Sequence, residues 1–302
     1  MTTTAADLTA KRPAGERLIE VGLRAAAAVG ILTTIGLIVV LLYETIDFLS
    51  LVGPLDFFGG TKWSPSITPY AWGIWPLITG TMLVSGLAIL FGAPLGLLAG
   101  IYLSMYASSR VRNVAKPTLE MIAGIPTIVL GFFAITVITP QLLKPIFPDI
   151  GGFNALAGGI VVGILITPLI ASLSDDALRA VPRALGEGAY AMGATKFEVI
   201  RSAIVPAALS GIFASLILAL SRAIGETMAV VLAVGANPQL TLDPRQSVQT
   251  MTAFIVAVSL GDTPAGSIQF KALFAVGAVL FSITFLLNIL SERVVRRFRQ
   301  AY

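Results

Sequence analysis

Cysteine and histidine are both absent from the 302-residue sequence. Without cysteine, the chain has no disulfide, no thiol nucleophile and no cysteine-ligated metal. Without histidine, it has no Ser-His pair, no H-E-x-x-H zinc site and no histidine proton relay. No Gly-Lys dipeptide occurs either, so the chain lacks a Walker A loop. If ATP drives this protein, another chain binds it.

Charged residues are also scarce, at 12% of the chain, against about 25% in a typical soluble domain. Hydrophobic residues make up 56%, and the mean hydropathy is +0.90. A bilayer core needs roughly 20 apolar residues in helical form, and several uncharged runs are that long. We therefore predict an all-α polytopic membrane protein with six transmembrane helices, near residues 25–47, 72–106, 117–140, 154–174, 207–235 and 270–291.

The first apolar stretch is longer than the core of a signal peptide and lacks a clear small-x-small cleavage site, so we predict a retained helix. Around the spans, we predict an N-terminal tail over 1–24, an external loop over 48–71 and a basic tail over 292–302. The segment Ser247–Leu260 is apolar but too short to span, so we expect a short external or re-entrant helix there.

The basic residues lie mostly on one side of this six-span arrangement. Fifteen of the twenty Lys and Arg residues lie on the side of the two termini, four lie on the other side, and Arg222 lies within a span. The positive-inside rule then places both termini in the cytoplasm.

Glycine recurs every fourth residue in the second span, at Gly92, Gly96 and Gly100. This spacing puts the three glycines on one helix face, where they allow another helix to approach closely. We expect this face to pack inside the bundle.

The loop over 175–206 is too long for a turn and too polar for a span. Its sequence predicts a membrane exit at Asp175-Asp176, then a short helix that ends at Gly193 and a second helix that begins near Thr195. The spacing alone is compatible with a solvated connector. The loop resembles the EAA loop of ABC-importer permeases, E-A-A-x₃-G-x₉-I-x-L-P. Glu187, Ala189, Gly193 and Pro206 match in register, and the departures are Gly188, Ala203 and Val205.

This resemblance implies that the loop is a cytoplasmic coupling loop that docks on an ATPase. Its candidate coupling residues are Glu187, Gly188, Ala189, Gly193, Ala194, Thr195 and Pro206.

Two charged residues, Arg222 and Glu226, lie near the middle of the fifth predicted span. Four residues apart, they share one face of a continuous helix. Charges at that depth are costly and normally face a partner or a watery path. The forked donors of arginine fit a tetrahedral oxyanion, and Thr227 supplies a nearby hydroxyl. The alternative is a structural ion pair between the two residues.

The segment Ser221–Val230 resembles the R-A-I-G-E-T segment of phosphate-importer permeases of the PstC type. Phe58–Pro65, Gly92–Gly96 and Gly124–Thr127 resemble the same subunits in the same order. The resemblance implies a type I ABC importer (MetI-like) fold and places Arg222 and Glu226 on the phosphate path. It also implies that the external loops around 57–65 and 237–262 face a binding protein.

The implied partners are a PstA-like homologous permease, two PstB-like ATPase subunits that use ATP and Mg²⁺, and a PstS-like phosphate-binding protein. We therefore expect a non-catalytic, cofactor-free permease subunit in a bacterial plasma (inner) membrane.

Three other functions are weighed against this one. A permease for another oxyanion, such as sulfate or molybdate, has the same general features. An autonomous secondary transporter would use Glu226 as a proton site and would not need ATP. An intramembrane hydrolase has little support, because the chain has no histidine, cysteine or G-x-G-D signature.

Overall fold

The structure is a computed structural model that describes residues 14–298. In that part of the chain it is mainly helical, with one small hairpin. The helices are α1 (Ala14–Val52), α2 (Pro54–Gly59), α3 (Trp75–Ile101), α4 (Ser109–Ala123), α5 (Thr127–Phe133), α6 (Ala155–Arg179), α7 (Arg183–Ala191), α8 (Lys196–Val199), α9 (Val205–Ile224), α10 (Met228–Val234), α11 (Met251–Leu260) and α12 (Ile268–Phe298).

Three π-helical segments continue or join these helices, at Tyr102–Tyr106, Ala134–Leu143 and Ile200–Ile204. The hairpin consists of strands β1 (Trp63–Ser64) and β2 (Ala71–Trp72), which pair antiparallel.

Within the described residues, five helical stretches are long and apolar enough to cross a bilayer. They are Ile19–Val52, Trp75–Tyr106, Ala155–Arg179, Lys196–Ile224 and Ile268–Arg293. The bent pair Ser109–Ala123 and Thr127–Leu143 makes a sixth if it is counted as one span. The predicted all-α, six-span architecture is therefore confirmed.

The first and last helices of the chain, α1 and α12, extend beyond their predicted bounds. Helix α1 begins at Ala14 rather than near 25, and it continues to Val52. The residues before 25 include good helix formers, and Arg24 donates to Glu20 one turn earlier at 2.6 Å. Helix α12 likewise runs through Phe298, into the predicted basic tail. Residues 1–13 and 299–302 of the two predicted tails lie outside the described part of the chain.

The third predicted span, 117–140, is not one straight helix. It consists of α4 and α5, which meet at an angle of 84°. The bend follows Gly124 and lies at Pro126, which disfavours helical geometry in the residue before it. Helix α4 has no buried residue.

The predicted glycine face of α3 packs closely against α6. A Cβ atom at Gly92 would lie 2.7 Å from the carbonyl oxygen of Gly163, and one at Gly96 would lie 2.7 Å from Cβ of Ile170. Both distances are too short for a side chain. The two backbones therefore approach as closely as the sequence spacing predicts.

The predicted external loop over 48–71 is an ordered structure rather than a free loop. Phe57 and Trp63 are buried against Phe48 and Phe254, with aromatic rings meeting edge to face. The nearby helix α11 has ten residues, about 15 Å at 1.5 Å per residue. That is half the thickness of a bilayer core, as expected for a segment that does not span.

Candidate functional site

The fifth span is interrupted at the charged residues. Helix α9 ends at Ile224, Gly225 follows, and α10 begins at Met228. Glycine is a poor helix former, and the Glu226 carboxylate accepts a hydrogen bond from the backbone N–H of Ala229 at 3.4 Å, as a helix-capping side chain does. The prediction of one continuous helix over 207–235 is therefore wrong. The interruption at 225–227 is called the break below.

The break separates the environments of the two charged residues. Glu226 is only 9% exposed, whereas Arg222 is exposed on this single chain. The expectation that they share one face of a continuous helix is wrong, because the helix ends between them. No ion pair joins them among the residues that the structure describes, 14–298. The alternative interpretation, a structural ion pair, therefore has no support in this conformation.

Buried hydroxyl groups hold the break in place. Thr252 donates from its hydroxyl to the carbonyl oxygen of Glu226 at 2.9 Å, and its hydroxyl lies 3.0 Å from that of Thr250. The hydroxyl of Thr81, from α3, accepts from the backbone N–H of Met251 at 3.0 Å. The start of α11 is thus fixed both to the break and to α3. Thr227 instead donates locally, to the carbonyl of Gly225 at 3.1 Å.

These threonines were not predicted from the sequence. A signal was present, since Thr250 and Thr252 flank Met251, the first residue of α11, within an apolar segment. Threonine is favoured at such a helix start, and the side chain of Thr250 does accept from the N–H of Ala253.

The loop over 175–206 has the predicted helix–glycine–helix form. Helix α7 ends at Ala191, and Gly193 has a φ of +84°, a conformation that glycine adopts readily. The next helix starts with a capping box, in which Thr195 and Glu198 exchange hydrogen bonds. In this box, the backbone N–H of Thr195 donates to the Glu198 carboxylate at 2.7 Å.

The outer side of this loop is solvent-accessible. Glu187, Gly188 and Thr195 are exposed, and Met192 at the tip is 88% exposed. On the inner side, Ala189 and Ala194 pack against a small apolar cluster formed by Leu178, Val199, Ile204, Ala208 and Ile212. Pro206 lies in the first turn of α9. The loop therefore presents a supported, partly apolar surface, suited to contact with another protein.

A cluster of charged side chains lies at the start of the loop. Asp175 is fully buried, and its carboxylate accepts from Arg112 at 2.6 Å and from Lys116 at 3.2 Å. Lys116 also contacts Asp176 at 2.9 Å. Helix α6 does not end at the predicted membrane exit, Asp175-Asp176, but continues to Arg179, and the charges there are neutralised by α4. Arg112 and Lys116 are one turn apart on α4, a spacing that could have indicated the cluster.

The opposite end of the molecule carries a second charged feature. Arg245 contacts Asp243 at 2.8 Å. Hydrogen bonds from the side chain and backbone of Arg245 lower the pKa of Asp243 to about 2. Arg245 lines a groove of about 730 Å³, and both residues lie in the predicted external segment 237–262.

Comparison with protein families identifies the architecture. Residues 92–300 match the family described as "Binding-protein-dependent transport system inner membrane component". The chain belongs to this family. The matched region includes the glycine face of α3, the break and the loop over 175–206.

Individual relatives agree with this assignment. The permease is 35% identical over 240 residues to the probable ABC transporter permease protein YqgH of Bacillus subtilis, covering 79% of this chain and 77% of the relative. It is 32% identical over 266 residues to the phosphate transport system permease protein PstC of Haemophilus influenzae, with 80% and 83% covered. It is 31% identical over 279 residues to PstC 1 of Mycobacterium tuberculosis, with 80% and 82% covered. The resemblance to PstC-type permeases is thus confirmed.

Solved structures show the same fold. A bacterial alginate ABC transporter in complex with a pentasaccharide-bound periplasmic protein matches 93% of this permease and 98% of its own chain, with a TM-score of 0.61 and 17% identity. The inward-facing MetNI methionine ABC transporter matches 76% of this permease and 95% of its own chain, with a TM-score of 0.55 and 19% identity. The predicted MetI-like fold is confirmed.

Proposed function

We propose that this chain is the permease subunit of an ATP-driven phosphate importer and forms half of its translocation path. The observation that carries the proposal is the break in the fifth span, where a buried carboxylate lies close in sequence to an exposed arginine. The names of relatives such as the Haemophilus influenzae PstC support phosphate as the substrate.

Arg222 and Glu226 supply complementary chemistry for phosphate. The guanidinium of Arg222 has no ion-pair partner among residues 14–298, and its forked donors match the oxygens of an oxyanion. The carboxylate of Glu226 only accepts hydrogen bonds when it is ionised. It therefore favours a phosphate that carries a proton and disfavours sulfate, which has no proton to donate at neutral pH.

The loop over 175–206 would couple this path to ATP. We propose that α7, with Glu187 and the exposed tip at Met192, docks on a PstB-like ATPase dimer that binds ATP and Mg²⁺. A PstA-like permease would complete the path, and a PstS-like binding protein would dock on the opposite side. The positive-inside rule supports cytoplasmic termini and a cytoplasmic loop, in a bacterial plasma membrane.

Alternating access then follows from differential binding. ATP in the ATPase dimer and phosphate-loaded binding protein would each bind one conformation of the permease more tightly than the other, and so shift the equilibrium between them. In this scheme Arg222, just before the break, and Glu226, within it, provide the anion contacts, and α6 transmits the movement because it runs unbroken to the docking loop.

The test is phosphate uptake by proteoliposomes that contain the complete complex. We expect Arg222→Gln to lose at least tenfold in uptake rate, because a charge-assisted contact contributes about 1.5–3 kcal/mol and 1.4 kcal/mol corresponds to a factor of ten. Assembly and ATPase activity should persist. Arg293→Gln, an exposed arginine at the end of α12, is the matched control and should transport normally.

Competition by other oxyanions and the requirement for ATP distinguish phosphate import from the other candidate functions. For wild type we expect excess sulfate or molybdate to leave phosphate uptake unchanged, and for Glu226→Gln we expect sulfate to compete. Inhibition of wild type by sulfate would favour a different oxyanion. Uptake without ATP or the ATPase would favour a secondary transporter. Normal uptake by Arg222→Gln would remove the residue from the path.

A further inference from the structure

Two apolar grooves flank the last turns of α3 on the side of the coupling loop. The first, of about 650 Å³, lies between α3 and α4. The second, of about 400 Å³, lies between α3 and the start of the fifth span. Tyr102 borders both grooves. Their other apolar walls include Val114 and Ala115 in the first groove, and Leu98 and Phe197 in the second.

Each groove has an arginine at its edge, Arg110 in the first and Arg201 in the second. Both are exposed, and neither forms an ion pair with another residue in the described range 14–298. A third cation, Lys196, lies 4.5 Å from the ring centre of Tyr106. This differs from Arg112 and Lys116 nearby, which are neutralised by the aspartates of α6. The region between the grooves is therefore locally positive.

The depth of the grooves matches the boundary between lipid tails and headgroups. Tyr102 and Tyr106 belong to the last two turns of the spanning stretch Trp75–Tyr106, where aromatic residues anchor a helix at the interface. Helix α4, which forms a wall of the first groove, lies at 84° to α5. Its Arg112 and Lys116 contact the aspartates of α6, whereas Val111 and Val114 line the groove together with Arg110. A helix that exposes apolar side chains beside a cation is suited to the bilayer interface. In this position Val114, which is 68% exposed on this chain, would face lipid rather than water.

We propose that these two grooves bind an anionic phospholipid of the leaflet on the coupling-loop side. Its acyl chains would occupy the grooves on either side of Tyr102, and its phosphate would contact Arg110 and Arg201. Basic pockets between membrane helices recognise anionic headgroups in this manner. Charge complementarity supports a lipid, because unpaired arginines next to open apolar grooves match a molecule with an anionic head and two apolar tails.

The charge test is native mass spectrometry of the full-length chain titrated with phosphatidylglycerol and with phosphatidylcholine. An arginine near an anionic headgroup contributes about fivefold in affinity, so we expect wild type to prefer phosphatidylglycerol by about 25-fold. The variant Arg110→Gln/Arg201→Gln should bind both lipids equally. The control Arg293→Gln removes an exposed arginine from the same side, at the end of α12, and should keep the preference.

The grooves themselves are tested by Ala115→Trp, which fills the first groove but keeps both arginines. We expect this variant to bind phosphatidylglycerol at least fivefold more weakly than wild type. Undiminished binding to Ala115→Trp, or an unchanged preference in the double glutamine variant, would overturn the proposal.

A protein occupant is distinguished by photocrosslinking in membranes that contain the complete complex. With a photoreactive residue at Val114 or Leu98, we expect adducts with phospholipid. Adducts with the second permease or the ATPase would instead assign the grooves to a subunit interface and refute the lipid site. Because neither arginine belongs to the break, this result does not depend on the proposed phosphate path.

Discussion

The buried carboxylate of Asp175 provides the sharpest test of how α4 is held against α6. The perturbation is Asp175→Asn, which keeps the shape of the side chain and removes its charge. The wild-type carboxylate is fully buried and neutralises Arg112 at 2.6 Å and Lys116 at 3.2 Å. In the variant, Lys116 keeps its contact with Asp176, whereas Arg112 loses its anionic partner.

Removing one partner of a buried ion pair usually costs about 3–5 kcal/mol, because the other charge remains uncompensated. The side chains of Arg112 and Lys116 are each 23% exposed, so water partly solvates them and the lower end of this range applies. We therefore expect Asp175→Asn to lower the free energy of unfolding by about 3 kcal/mol. Asp176→Asn is the matched control: its side chain is 61% exposed, and such pairs contribute only about 0–1 kcal/mol.

The assay is reversible unfolding of the purified chain in mixed micelles of increasing SDS content. Arg112→Met is measured alone and in combination with Asp175→Asn. The double variant removes the uncompensated charge and should be more stable than Asp175→Asn alone. The reasoning is refuted if the two asparagine variants lose equal stability. It is also refuted if the change in the free energy of unfolding of the double variant equals the sum of the changes in the two single variants, because the ion pair would then carry no coupling energy.

Three further predictions concern backbone geometry and the break, each measured by the same unfolding assay. Gly92→Ala should lower the free energy of unfolding by about 1–3 kcal/mol, because the added methyl group overpacks α3 against α6. Gly86→Ala, on an open part of α3, should be neutral or stabilising. A loss of stability at both positions would contradict the packing. Gly193→Ala should lower the free energy of unfolding by about 1–2 kcal/mol, because the φ of this residue is +84°. Gly188→Ala, inside α7 with open space around it, should raise it by about 0.5–1 kcal/mol. Equal effects of the two changes would count against the left-handed turn. Thr252→Val should lower the free energy of unfolding by about 1–3 kcal/mol, because it leaves a buried carbonyl without a hydrogen bond. Thr252→Ser keeps the hydroxyl donor and should be less destabilising. A serine variant as unstable as the valine variant would exclude the hydrogen bond as the cause.

The features that the sequence predicted well depend on local pattern. Apolar length identified the spans, four-residue glycine spacing identified the face of α3, and Gly193 with Thr195 identified the turn in the loop over 175–206. Each of these signals lies within a few turns of chain, where periodicity and capping rules apply directly.

The features that it missed depend on contacts between distant segments. Asp175 is 63 residues from Arg112 in sequence, and Thr252 is 26 residues from Glu226. The break itself combines a local signal with a distant one. The local signal is Gly225, which weakens the helix. The distant signal is the hydrogen bond from Thr252, which together with the packing of α10 holds the break in place. Hydrophobicity alone favours a continuous span.

The missed features lie along one contiguous set of contacts between the loop over 175–206 and the break. Helix α6 leads directly into the loop and is tied to α4 through Asp175. Helix α4 meets α5 at the bend, and Gly131 of α5 packs so closely on α10 that an added Cβ would lie 2.8 Å from Leu232. Helix α10 begins immediately after Glu226. Helix α6 also packs directly on α10, where a Cβ atom added at Gly158 would meet the side chain of Val234. The loop is therefore connected to the break both through α6 and through the bend between α4 and α5. Because packed interfaces change between discrete arrangements rather than deforming continuously, we expect a shift of the loop to change the angle of this bend and the packing of α10 together.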